Sequence, residues 1–294
     1  MQIDNFALII GTMKGGTTSL FNYLAEHPQV SPCKEKEPSF FSERIMLDRG
    51  YNYYQSLWDY DSSIHKIALE ASTSYTRATH PYYLKAAENI YRYSSTNNIK
   101  FKFIYILRNP LERIESHYTH GRAWGFEETK KSLTEEINRE VIETTKYAMQ
   151  IEEYYQKFPA NSILLLNFED LKQKPQLVLK KICQFLEIDD TYNFNNLNIH
   201  NKGQARTTIK LPGWYKIRTT KSMKALSTLI PVKQKKIFRS FFGRKVNEHI
   251  KLSPEQRKLV LTELQPDLEK LRSQYDFDTS QWNLSLEKSN TKNF

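Results

Sequence analysis

Phe6-Ala7-Leu8-Ile9-Ile10-Gly11-Thr12-Met13-Lys14-Gly15-Gly16-Thr17-Thr18-Ser19-Leu20-Phe21-Asn22-Tyr23-Leu24-Ala25 is the stretch from which the fold can be read. Its opening apolar run has the length and composition of a strand buried on both faces of a parallel sheet. Gly11 to Gly16 then reads as a loop, and Leu20, Tyr23 and Leu24 recur at helical spacing. A strand, a glycine loop and a helix in that order form a cradle for phosphate. Glycines let backbone N–H groups turn inward, and the helix N-terminus adds positive potential. Lys14 adds a full charge in mid-loop, and Thr17, Thr18 and Ser19 add hydroxyl donors beside Gly15 and Gly16.

The loop is not a Walker A loop. Gly11 and Gly16 fit G-x-x-x-x-G-K-[ST], but Thr17 stands where the lysine belongs. Three further runs read as strands: Ile67 to Glu70, Phe101 to Leu107 and Ser162 to Asn167. Leu133 to Phe158 reads as one long helix. Pro175 to Leu186 reads as another, with Leu177, Ile182, Phe185 and Leu186 inward. This succession predicts one α/β domain over residues 1–294, a mostly parallel, P-loop-like sheet wrapped by helices. The third strand ends in Arg108-Asn109-Pro110, and Pro110 suits the first position of a helix carrying Arg113, Ser116, His117, Tyr118 and His120. An arginine fork and a hydroxyl near a helix N-terminus suit a phosphate monoester. Two phosphate elements at neighbouring strand ends predict a ligand phosphorylated at both ends, which a 3′,5′-bisphosphonucleotide is and ATP is not. Glu70 closes its strand where parallel sheets hold their ligands.

The chain has 294 residues, of which 39% are hydrophobic and 26% charged, enough for one large core. Cys33 and Cys183 are its only cysteines, so the sequence predicts neither a disulfide framework nor a cysteine metal site. The first strand starts within a few residues of Met1, with no basic and apolar leader, which predicts a cytoplasmic protein. The net charge of +10 predicts an anionic partner, and no nucleic-acid-binding module is visible. Between Arg206 and Lys245 lie twelve Lys or Arg and no Asp or Glu, punctuated by apolar residues. That stretch reads as a mobile basic insertion, suited to an acceptor-side lid, a polyanion or a membrane surface. Tyr51, Tyr53, Tyr54, Trp58 and Tyr60 either pack in the core or offer stacking faces. Ser253-Pro254-Glu255-Gln256 is a capping box that starts a last helix to about Tyr275, and a loose tail is expected from about 277 to 294.

Together these residues resemble the sulfotransferases that use 3′-phosphoadenosine 5′-phosphosulfate (PAPS) and release 3′-phosphoadenosine 5′-phosphate (PAP). Those enzymes carry a lysine at the place of Lys14 in their 5′-phosphosulfate loop. Their 3′-phosphate element is an Arg, then [DN]-P, then a Ser eight residues after the Arg, matched by Arg108 and Ser116. Lys34 to Phe41 is similar to their K-E-P-x-F-F segment, and Phe168-Glu169-Asp170-Leu171 to their [FY]-E-[DE]-L segment. The resemblance implies Glu70 as general base, with Ala71 where heparan-type members have Lys, and His120 as a second catalytic candidate. It implies that Lys202, Gly203 and Arg206 close on the 3′-phosphate. It further implies in-line, metal-independent transfer to a saccharide or small-molecule hydroxyl or amine. Two other readings stay open on residues alone: a P-loop-type kinase or NTPase, and a non-catalytic binder of polyanions or membranes.

Overall fold

The computed structural model describes residues 2–124, 137–195, 197, 206–209, 243–246 and 250–284, with backbone alone at 122–124, 206–209 and 243–246. Five strands form one parallel sheet in the order β2-β3-β1-β4-β5. They are β1 (Asn5–Gly11), β2 (Val30–Pro32), β3 (Ile67–Ala71), β4 (Lys100–Leu107) and β5 (Ile163–Asn167). The α/β class and parallel sheet are as the sequence predicts. β2 was not anticipated: it has three residues, lies at the edge and lacks an apolar run.

Strand periodicity sends alternate side chains to opposite faces. Phe6, Leu8 and Ile10 of β1 join Phe101, Phe103, Tyr105 and Leu107 of β4 on an aromatic face. Ala7 and Ile9 join Ile104 and Ile106 on the other, aliphatic face. α1 (Thr17–Leu24) and α9 (Pro175–Leu186) cover the aliphatic face. α9 does so with Val178, Leu179, Ile182, Cys183 and Leu186, whereas Leu177, expected inward, is 66% exposed. α4 (Ala86–Asn97), α5 (Pro110–Trp124), α7 (Tyr147–Tyr155) and α10 (Pro254–Tyr275) cover the aromatic face. α2 (Arg44–Leu47) and α3 (Gly50–Gln55) precede Trp58, and Tyr54 and Trp58 are buried there, so the tyrosine-rich segment packs.

The single helix expected over 133–158 is two. α6 (Arg139–Glu143) stops before α7 begins at Tyr147, and 125–136 fall outside the described residues. The Thr144 and Thr145 hydroxyls bond back to the carbonyls of Glu140 and Val141, at 2.7 and 2.6 Å. Val141 O also accepts from Arg113, so α6 ends where its carbonyls acquire side-chain donors. Asp267 of α10 then caps α7 from outside, accepting from Ala148 N and Met149 N at 3.0 and 2.8 Å.

α10 starts on the predicted capping box of Ser253 and Gln256, with Pro254 at its first position. The segment after it is anchored, contrary to the expectation of a loose tail from 277: Phe277 and Trp282 are buried. Residues 285–294 lie outside the described set, as does most of the basic stretch 206–245. Of that stretch, β6 (Arg206–Ile209) and β7 (Gly243–Val246) pair antiparallel, and β6 lies against α5. No described helix is long and apolar enough to cross a membrane.

Replacing Asp267 with Ala would leave two N–H groups of α7, the Ala148 one buried, without their acceptor. Urea unfolding of Asp267→Ala should show a loss of about 1–3 kcal/mol relative to the parent protein. An unchanged midpoint would mean that α7 needs no external cap.

Candidate active site

The site forms where β1, β3 and β4 end together at the carboxyl edge of the sheet. After β1 the chain turns tightly. Thr12 N bonds Ile106 O at 2.8 Å, and Gly15 N bonds Thr12 O at 2.9 Å. Lys14 is half-buried with φ 72°, a left-handed conformation rare for a side chain that needs the surrounding structure to hold it. Gly16 also lies at positive φ, 95°, and a Cβ there would sit 2.6 Å from the Phe168 ring. A Cβ on Gly15 would meet Ile106 O at 2.8 Å. Close packing therefore requires both glycines, and at Gly16 the backbone angle does so as well.

α1 starts directly from this loop, and no side chain caps it. Its first turn carries Thr17, buried, and Thr18, half-buried. Ser19 is buried, and its side chain hydrogen-bonds that of Tyr23 one turn on.

The second element is built around Arg108. Its Nη1 donates to Lys14 O at 3.3 Å, Nη2 to Glu112 Oε2 at 2.8 Å, and its guanidinium lies over the Phe168 ring at 5.0 Å. Asn109 caps α5, its Oδ1 accepting from Leu111 N and Glu112 N at 3.0 and 3.4 Å. Tyr147 donates to Arg108 O at 2.8 Å. Ser116 and His120, spaced four apart, share a face of α5 and are half-buried; His117 and Tyr118 turn into the core.

Sequence reasoning gave Arg113 no role, yet it joins the two elements. Wholly buried, it donates to Met13 O at 3.4 Å and to Val141 O at 2.9 Å. Burial lowers its pKa to about 10, with Arg77 and Arg108 adding to the effect and Tyr147 and Tyr105 opposing it. It stays a cation at neutral pH. Its spacing, three residues after Pro110, was the available signal, but spacing alone does not say that its acceptors are two distant carbonyls. The site fits an anion on two observations: α1 is uncapped by any side chain, and the buried Arg108 Nε has no acceptor among the described residues.

Glu70 lies deeper than expected. It is 0% exposed, on the aromatic face of β3. Tyr54 donates to its Oε2 at 2.6 Å and Ser72 to its Oε1 at 2.7 Å, and Tyr75 bonds it as well. Burial raises its pKa, and the three hydroxyl donors oppose the rise. The segment around Pro38 roofs it: Glu37 N donates to Ala71 O at 2.9 Å and Ser39 N to Ser72 Oγ at 3.0 Å. Both oxygens of this predicted base are engaged by hydroxyl donors. Lys202 and Gly203 lie outside the described residues, and Arg206 opens β6, whose backbone runs beside α5. Among the described residues no group of three His, Cys, Asp or Glu is placed to hold a metal ion.

A sulfotransferase-domain profile matches residues 4–250. Over 208 residues the chain is 27% identical to the bifunctional heparan sulfate N-deacetylase/N-sulfotransferase 1 of Mus musculus, covering 64% of this chain and 22% of that protein. The corresponding Drosophila melanogaster protein is 24% identical over 212 residues, covering 64% of this chain and 20% of that one. The chain thus spans about a fifth of the length of these curated relatives. The crystal structure of a sulfotransferase from Alicyclobacillus acidocaldarius shares the fold, with a TM-score of 0.64 at 20% identity, covering 96% of this chain and 99% of that one. With the strand ends, the phosphate loop and the profile in agreement over most of its length, this chain belongs to the sulfotransferase domain family.

Proposed function

We propose that this protein transfers a sulfuryl group from PAPS to a hydroxyl or amine of a saccharide or small-molecule acceptor. One observation carries the reading: two anion-ready strand ends are stitched into one unit, Arg108 bonding the Lys14 carbonyl and buried Arg113 the Met13 carbonyl. A nucleotide with phosphate at both its 5′ and 3′ positions matches such a pair. When bound, PAPS supplies a sulfuryl group already activated by its 5′-phosphate. The loop N–H groups, the first turn of α1 and Lys14 hold the 5′ end and oppose charge gathering there. Arg108 and Ser116 hold the 3′ end, and the Lys202–Arg206 segment, which leads into β6 beside α5, is suited to close over it.

For the acceptor proton, access favours His120, half-buried on the Ser116 face of α5. The lone-pair nitrogen of a neutral imidazole is the kind of group that can accept such a proton. Glu70 is the second reading, favoured by the raised proton affinity that burial gives it.

Calorimetry should show PAP binding much more tightly than AMP or ATP, and without Mg²⁺. Equal affinity for PAP and AMP would defeat the paired-phosphate argument.

Substitutions in the two elements should differ in kind. Arg108→Ala should weaken PAP binding by roughly 1.5–3 kcal/mol, the worth of a charge-assisted contact. Lys14→Ala should lower kcat as well, because its charge matters most as the leaving phosphate forms. If Lys14→Ala altered KM alone, its charge would have no special role in the transition state.

Glu70→Gln and His120→Ala separate the two candidate bases. The variant that removes the base should keep PAP affinity within about twofold and lose turnover by roughly 10²–10⁴. A near-normal His120→Ala enzyme beside an inactive Glu70→Gln enzyme would move the base to Glu70. Near-normal turnover in both would point to an amine acceptor that needs no enzymic base.

A further inference from the structure

The family profile ends at residue 250, yet the chain beyond it reaches back into the site. After α10 the backbone turns at Asp276, φ 49°, and Phe277 and Trp282 bury themselves against the aromatic face. The Trp282 ring also packs against Tyr147, centroids 5.9 Å apart. Its indole N–H is shared between Asn167 Oδ1 at 3.2 Å and Glu169 Oε2 at 3.1 Å.

Both acceptors belong to the machinery of the Arg108 turn. Asn167 ends β5 and caps α8 (Phe168–Gln173) by accepting from Glu169 N at 3.2 Å. Glu169 Oε1 accepts from Asn109 N at 3.4 Å, while Asn109 Nδ2 donates to Asn283 O at 3.4 Å. Tyr147, against which the indole packs, holds Arg108 O. The backbone of the turn is thus gripped at the Arg108 carbonyl and the Asn109 N–H, and the Asn109 side chain at Nδ2, and each grip leads to Trp282 or its neighbour. Burial raises the Glu169 carboxyl pKa, as expected for a group whose donors must come from the protein.

We infer that Trp282 is a positioning residue for the 3′-phosphate turn: the segment 276–283 straps Arg108-Asn109 into the geometry that recognises a 3′-phosphate. Trp282 touches no ligand in this arrangement. It acts through Glu169, Asn167 and Tyr147. The inference rests on the bisphosphate reading above, and the test is arranged so that the two fail differently.

Trp282→Phe keeps the buried ring and removes the shared N–H. The full-length variant and the parent protein would be titrated with PAP and with AMP, which lacks only the 3′-phosphate. Loss of this indole N–H, shared by two acceptors, should lower PAP affinity by about threefold to tenfold and leave AMP affinity unchanged. The PAP-to-AMP ratio is the decisive readout, because a purely structural role would weaken both ligands together or neither. An unchanged ratio in a folded Trp282→Phe protein overturns the inference. If Trp282→Phe does not fold, Glu169→Gln carries the test, since it sets an amide donor against the indole N–H or withdraws the acceptor from Asn109. The same selective loss supports the strap, and an unchanged ratio overturns it. A parent protein that fails to prefer PAP to AMP overturns the bisphosphate reading and the strap together, whereas a preference that the variants keep undiminished overturns the strap alone.

Discussion

A buried guanidinium with no carboxylate partner among its described hydrogen bonds holds this site together. Arg113 sits in the core and turns its two terminal nitrogens to carbonyls, one in the phosphate loop and one in α6, while its Nε has no acceptor among the described residues. An arginine in a low-dielectric interior is costly unless its donors are satisfied, so the chain segments that supply those carbonyls are held in place. The loop cannot relax away from α5 without stranding a charge.

The same logic separates the two acidic groups at this edge of the sheet. Glu112, exposed, pairs with Arg108 and is screened by water. Glu70 has no solvent and keeps its oxygens occupied with hydroxyls from Tyr54, Ser72 and Tyr75. The Pro38 segment above it places Glu37 and Ser39 at φ 63° and 52°, conformations that side chains seldom adopt. Backbone strain beside a sealed carboxylate marks a part of the fold whose shape is over-determined by its neighbours.

Much of this was legible in the sequence because it is local. An apolar run, a glycine loop and a helix start rich in hydroxyls within twenty residues fix one strand end, and Arg-Asn-Pro fixes another. The four long strands and the Ser253 capping box were readable for the same reason. What escaped reading was non-local. Nothing in the order of residues says that Thr144 and Thr145 end a helix, since that depends on Arg113 reaching Val141 O. β2 is too short to carry a period. Leu177 is apolar but one position off the buried stripe of α9. The depth of Glu70 depends on Tyr54, sixteen positions earlier, and the anchoring of Trp282 on Asn167 and Glu169, more than a hundred away.

Phe168 shows a further property of the architecture. One ring fills the space that a side chain at Gly16 would need and also underlies the guanidinium of Arg108. The loop and the turn are therefore both set against a single rigid plate, which makes the pair a gauge of fixed length. A ligand is measured by whether its two charged ends span that gauge, not by how many contacts it makes along the way. Discrimination of this kind comes from stiffness: a softer residue at 168 would let the jaws drift and blur the measurement without removing a single charged group.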